Sequence, residues 1–255
     1  MTANKYFNIN RFKNILRKEL HSNLKHSVLI IGAMFSIFTI IVLLIFQFGE
    51  KPTEQNVLDK FHLFTFGIML FVGGIFITSF SFLDLRSNTK AHFYLLTPTS
   101  AFEKFLANLL FSLVGYMIFM FVTYFAYSHI FNWIVEATYD LKFVDIDYTN
   151  KDLSIAINVF IFVHSLFFLG SAYFKKYPLI LTPIATFIVV SFLIISSEIL
   201  KKIIFPGVDV DTHVNSVNLE ELFNFYQLIG RIVLFYILPP IFWFMTYLKL
   251  KEKEY

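Results

Sequence analysis

The sequence contains no cysteine. That excludes disulfides, thiolate zinc sites, iron–sulfur clusters and a thiol nucleophile. Charge is scarce as well: Asp, Glu, Lys and Arg make up 15% of the 255 residues, where soluble domains carry about 25%. A chain so poor in charge lacks the polar surface that a water-borne fold needs. The marks of common enzymes are also missing. There is no G-x-x-x-x-G-K-[ST], so the chain does not bind ATP through a P-loop, and there is no H-E-x-x-H or G-x-S-x-G. The seven histidines never pair with another His or a carboxylate at metal-ligand spacing inside an apolar run. His164 is the only one deep in such a run, and a lone helical histidine reads as hydrogen-bonded packing.

What is present is hydrophobic length. Apolar residues reach 57%, phenylalanine alone contributes 35 positions, and the mean hydropathy is +0.66. Cutting the sequence at every charged residue leaves runs at 26–49, 61–83, 105–135, 153–174 and 177–197, and a sixth at 222–248 broken only by Arg231. About 20 apolar residues suffice to cross roughly 30 Å of hydrocarbon, and a helix satisfies its own backbone there. The expected fold is an all-α membrane protein, a single transmembrane domain over 1–255. Its six transmembrane helices are expected at about 28–48, 61–82, 105–130, 155–174, 178–199 and 229–248. The first run starts near Val28, is too long for a signal-peptide core and has no small-residue cleavage site after it, so it is expected to remain in the mature protein.

Orientation follows from the short connections. The segment before the first span, the 2–3 and 4–5 connections and the tail hold fourteen of the 21 Lys and Arg, against six in the other three connections. The acids run the opposite way, five against twelve. By the positive-inside rule both termini are expected in the cytoplasm. Residues 1–26 differ from the spans: Phe12, Ile15, Leu16, Leu20 and Leu24 recur at helical spacing, with Arg11, Lys13, Arg17, Lys18 and Lys25 mostly on the remaining faces. This pattern predicts a cytoplasmic amphipathic helix, either an interfacial anchor or a docking element for a partner. The acids of 136–152 and the "DVDTH" stretch lack the spacing and glycine of a calcium loop and read as solvated surface.

Within the spans, Glu198 and Arg231 are the only charges, and each is costly in hydrocarbon. They sit near the ends of consecutive spans and are expected to form a structural ion pair, with a substrate-binding charge as the other reading. Gly67, Gly73, Gly74, Thr78 and Ser79 make the second span small-sided, which permits close helix approach. Pro183 is expected to bend the fifth span.

The most specified polar stretch is "FYLLTPTSAFEKFLANLL", residues 93–110. Ser100 and Glu103 have the S-x-x-E spacing of a capping box, and Pro98 keeps Thr97 out of helical geometry, so the chain turns and restarts at Ser100. Tyr94–Leu110 resembles the segment after the second span in permease subunits of bacterial type-2 ATP-binding-cassette (ABC) exporters, which often reads LLP-S-x-x-EK. His164–Lys176 is also similar to fourth spans of bacterial members, and the six-span layout agrees over most of the chain.

The resemblance implies a transmembrane permease subunit in the bacterial cytoplasmic (inner) membrane, working as a homo- or heterodimer with separate cytoplasmic ATPase subunits. ATP and magnesium would then be bound by those partners, leaving this chain with no cofactor, no metal, no nucleic-acid partner and no catalytic residue. By the same resemblance the loop 83–104 would couple to the ATPase, with Arg86, Lys90, Tyr94 and Glu103 as contacts. Thr78, Ser79, Thr182 and Thr186 would face the pathway or dimer interface. The rival reading is a non-transporting membrane anchor or scaffold of a secretion or motility machine. An integral-membrane enzyme is disfavoured because no span carries paired catalytic groups.

Overall fold

Forty residues without a proline, Ile9–Phe48, wind into one helix, α1. Asn8 caps its start by accepting from the amides of Asn10 and Arg11, and the chain leaves the helix at Gly49. This is the protein as a computed structural model, and residues 7–49, 55–139, 151–204 and 219–253 are described. The sequence reading set the amphipathic segment 1–26 apart from the first span, but α1 has no end between them. At 1.5 Å per residue a 40-residue helix is about 60 Å long, roughly twice the hydrocarbon thickness. The half before Ser27 is therefore surplus to any crossing.

The remaining elements follow in order. Helix α2 is Gln55–Ser79, a 3-10 turn covers Leu83–Leu85, and the short helix α3 is Asn88–Leu95. Helix α4, Ala101–Leu109, passes through a π-turn at Leu110–Gly115 into α5, Tyr116–Tyr139. Helices α6 (Lys151–Tyr173) and α7 (Pro178–Ile204) come next, then α8 (Leu219–Ile232), a second π-turn at Val233–Ile237, and α9 (Leu238–Lys253). Among the described residues there is no strand. Six stretches are long and apolar enough to cross a membrane: Ser27–Phe48, Lys60–Leu85, Ala101–Tyr139, Lys151–Tyr173, Pro178–Ser197 and Phe225–Lys253. The chain is thus an all-helical, multi-pass protein by the length and composition of its helices.

The second π-turn has a local cause. Pro239 and Pro240 carry no amide hydrogen and their rings crowd the preceding turn, so the carbonyls four residues back lose their usual partners. The wider turn lets the chain pass from α8 into α9 without a break.

The main core joins α1, α2, α5 and α6 through Ile31, Phe66, Leu70, Tyr116, Met120, Tyr124 and Phe160. Its polar tips are bonded: the Tyr116 hydroxyl donates to the Met69 carbonyl at 2.8 Å, and that of Tyr124 to the His62 carbonyl at 2.9 Å. Helix α6 is central and touches α2, α7 and α9. Two glycines set how closely helices approach. A Cβ at Gly74 would fall 2.2 Å from the Phe160 ring, and one at Gly170 only 1.9 Å from the Thr182 hydroxyl. Gly67, grouped with Gly73 and Gly74 from sequence, has open space around it instead.

Contacts gather several parts of the chain at one end of the bundle. Asn8 meets Glu103, Lys18 meets Asp84, Phe102 meets Tyr247, and Lys253 donates to the Ala172 carbonyl. The start of α1, the α2–α4 connection, the α6–α7 turn and the end of α9 therefore share that end.

Candidate functional site

The connection from α2 to α4 is a braced corner. Ser100 has extended backbone (φ −72°, ψ 158°); its hydroxyl accepts from the Glu103 amide at 3.2 Å, and the Glu103 Oε2 accepts from the Ser100 amide at 2.8 Å. The capping box is complete, and Thr97 adds a bond from its hydroxyl to the Tyr94 carbonyl at 2.7 Å.

Sequence spacing could not show what else Glu103 does. Its side chain is fully buried, and its Oε1 takes the Asn8 amide at 2.6 Å and the Arg11 guanidinium at 3.1 and 3.3 Å. One carboxylate thus caps α4 with one oxygen and holds the start of α1 with the other. Apolar packing follows the same line, since Phe12 and Ile15 of α1 lie against Ala107 of α4.

Tyr94 of α3 also faces inward and is 4% exposed. Its hydroxyl accepts from the Asn108 side-chain amide at 3.1 Å, and Lys18 and Lys104 stand over its ring at 5.1 and 5.6 Å. Lys18 also meets Asp84 at 3.6 Å. The 3-10 turn, α3, α4 and α1 are therefore tied by one knot of polar contacts.

Of the four residues expected to contact a partner, Tyr94 and Glu103 serve this knot. Arg86 is half-buried; it donates to the Ser79 carbonyl and lies 4.9 Å from the centre of the Phe80 ring. Lys90 is on α3, but its side chain lies outside the described residues. What α3 and its end present outward is His92, Phe93 and Leu96, the last two 69% and 66% exposed. The signal in the sequence was helical phase: with Tyr94 inward, positions 92 and 96 fall on the opposite side and position 93 about a quarter-turn round.

A second group of polar residues lies inside the bundle. Thr78 and Ser79 of α2 and Thr182 of α7 are buried, and their hydroxyls have no hydrogen-bond partner among the described residues. The helices that carry them, α2 and α7, are in contact. Thr186 is half-buried and donates back to the Thr182 carbonyl at 2.9 Å. His164 of α6 is buried, bonds the Ser112 hydroxyl at 2.9 Å through Nε2 and stacks on Phe168 at 5.4 Å. Ser112 belongs to the first π-turn, which places it against α6.

The ion pair expected between Glu198 and Arg231 falls partly outside the described residues, because the Glu198 side chain is among those left out. Arg231 lies in the last turn of α8 and is exposed. Among the described residues no group of three or more His, Asp or Glu is gathered as a metal site would require.

Fold and site together define a six-span helical membrane protein with a braced corner at one end. No protein-family model matches the chain, and no curated protein or solved structure shows significant similarity to it.

Proposed function

We propose that this chain is the transmembrane permease subunit of an ATP-driven ABC exporter in a bacterial cytoplasmic membrane. It works as a dimer with separate cytoplasmic ATPase subunits, which bind the ATP and magnesium. The observation that carries the reading is the corner itself. A short helix outside the spans is held from behind by Tyr94, which bonds Asn108 of α4 and lies under Lys18 and Lys104, while Phe93 and Leu96 point outward. Large exposed apolar side chains on a rigid, polar-rimmed element suit a protein partner.

The same end gathers most of the Lys and Arg, which favours placing it, with both termini, in the cytoplasm. The contact surface centres on His92, Phe93 and Leu96. A push on α3 passes through the Glu103 knot into α1 and α4, and both continue into spans. Thr78, Ser79, Thr182 and Thr186 supply the polar positions of the pathway.

The test is purification of the membrane-extracted chain with an ATPase bearing Walker A and an ABC signature, whose hydrolysis depends on this chain. Phe93→Asp with Leu96→Asp should release that ATPase and leave the thermal unfolding of the permease unchanged. Retention of the ATPase by this variant overturns the docking surface. Absence of any such ATPase from the wild-type complex overturns the transporter reading in favour of an anchor or scaffold. Since the chain has no cysteine, a single Asn88→Cys should react with an impermeant reagent only from the cytoplasm, and reversed labelling overturns the orientation.

A further inference from the structure

The surplus half of α1 carries a feature that the knot does not use. Lys13, Arg17, His21 and Lys25 recur at every fourth residue, and all four are exposed. A four-residue step keeps side chains on one side of a helix, so three cations and a histidine form a basic row. The other cations of this segment behave differently: Arg11 is bonded to Glu103 and Lys18 to Asp84.

Among the described residues nothing neutralises the row. Of the five carboxylates that the sequence puts at this end, Glu19 and Glu103 are buried, while Asp84 and Glu252 are bonded to Lys18 and Lys249. The fifth, Glu254, lies outside the described residues. Among the described residues, none of these four side chains has a hydrogen bond or ion pair.

Beside the row lies an apolar groove. Leu20, Leu24 and Val28 of α1 are 40–48% exposed and face Ile77, Phe111 and Phe119 across it. The row stops at Lys25, just before the apolar stretch that begins at Ser27. Cations directly before a span, next to an apolar groove that continues along it, match the two chemical halves of a phospholipid.

We propose that this face of α1 is a binding surface for anionic phospholipid. Headgroup phosphates lie on Lys13, Arg17, His21 and Lys25, and an acyl chain runs along the groove from Leu20 to Val28. The inference needs only that the helices are membrane-embedded, so it stands or falls separately from the transporter reading. A Lys or Arg near an anionic membrane surface contributes about 1 kcal/mol, roughly a fivefold preference, and the three permanent cations of the row act together.

The test uses the full chain in a mild non-ionic detergent, mixed with equal amounts of phosphatidylglycerol and phosphatidylcholine. Retained lipid is counted by native mass spectrometry. The wild type should retain phosphatidylglycerol over phosphatidylcholine by at least tenfold, and the preference should collapse in high salt. Replacing all four residues of the row by Gln should bring it below twofold. Should that variant fail to fold, Arg17→Gln with Lys25→Gln should give an intermediate preference in a protein of unchanged unfolding temperature. Undiminished preference in a folded variant overturns the proposal. So does an equal loss from Lys175→Gln with Lys176→Gln, which would mean that any basic surface suffices. Displacement of the lipid by glycerol phosphate at the same concentration also overturns it, by showing an anion site rather than a lipid surface.

Discussion

Two sets of buried polar side chains lie in this bundle, and the fold treats them in opposite ways. At the corner, the Glu103 carboxylate accepts from the amides of Asn8 and Ser100 and from the Arg11 guanidinium. On α2 and α7, the hydroxyls of Thr78, Ser79 and Thr182 have no partner among the described residues. The default for a helical threonine is a bond back to the carbonyl four residues earlier, which Thr65, Thr186 and Thr246 all make. Thr78 and Thr182 forgo it. A buried hydroxyl left unpaired costs about 1–3 kcal/mol. The Glu103 carboxylate is saturated, although Asn108 Oδ1 and Arg86 Nε at the same corner have no hydrogen-bond partner among the described residues. A saturated group is explained by stability, whereas a set of unpaired hydroxyls invites a role that stability does not supply. The corner reads as a brace, and the second set as the better place to look for the pathway.

The brace is where mutation should do most harm. Glu103→Ala leaves the Arg11 guanidinium and two backbone amides without their acceptor in a buried site. Removing one partner of a buried ion pair costs about 3–5 kcal/mol; the half-exposed Arg11 places this case at the lower end of that range. The start of α1 should also come free, which limited proteolysis near residues 8–11 would report. Glu103→Gln retains an acceptor for the cap and should lose less. An unfolding temperature unchanged by Glu103→Ala would remove the distinction between the two sets.

Next in size is the contact behind the second set. Gly170→Ala puts a methyl into the space of the Thr182 hydroxyl, and overpacking of this kind costs about 1–3 kcal/mol. Thr182→Ala in the same chain should restore most of the loss. A double-mutant cycle on unfolding free energies measures this coupling, and additive effects would mean that α6 and α7 do not meet there. At the corner, Ser100→Ala removes only the hydroxyl half of the capping box. The expected loss is about 1 kcal/mol, well below that of Glu103→Ala.

These expectations also mark how far the sequence could be read. The spans were legible because charge interrupts hydrophobicity at their ends, and the capping box because its partners are three residues apart. The tie from Glu103 to Asn8 and Arg11 links positions more than ninety residues apart, and no local pattern carries that information. For the same reason the segment 1–26 read as an element apart: its amphipathic spacing was visible, but the surface it packs on was not. Tyr94 was expected at a contact through the family resemblance, but an aromatic beside polar residues before a turn suits either an interface or a core. Only the helical phase of α3 decides between them. The π-turn before Pro239 and Pro240 was foreseeable in principle, since two prolines in a span must cost the helix hydrogen bonds. Which turn absorbs the loss depends on the packing of the helices around it.

The smallest expected effect is the sharpest test of the comparison. Thr78→Val keeps the shape of the side chain and deletes a hydroxyl that bonds nothing, and Ser79→Ala does the same on a smaller scale. Removing an unpaired buried polar group relieves its desolvation penalty, so each variant should unfold within about 0.5 kcal/mol of the wild type or slightly above it. Transport should respond differently. If these hydroxyls serve the pathway, export by the reconstituted complex falls in a variant whose stability has not changed, while ATP hydrolysis without substrate continues. A loss of more than about 1 kcal/mol on Thr78→Val would instead show that the hydroxyl contributes to the fold. The two buried sets would then differ in degree and not in kind.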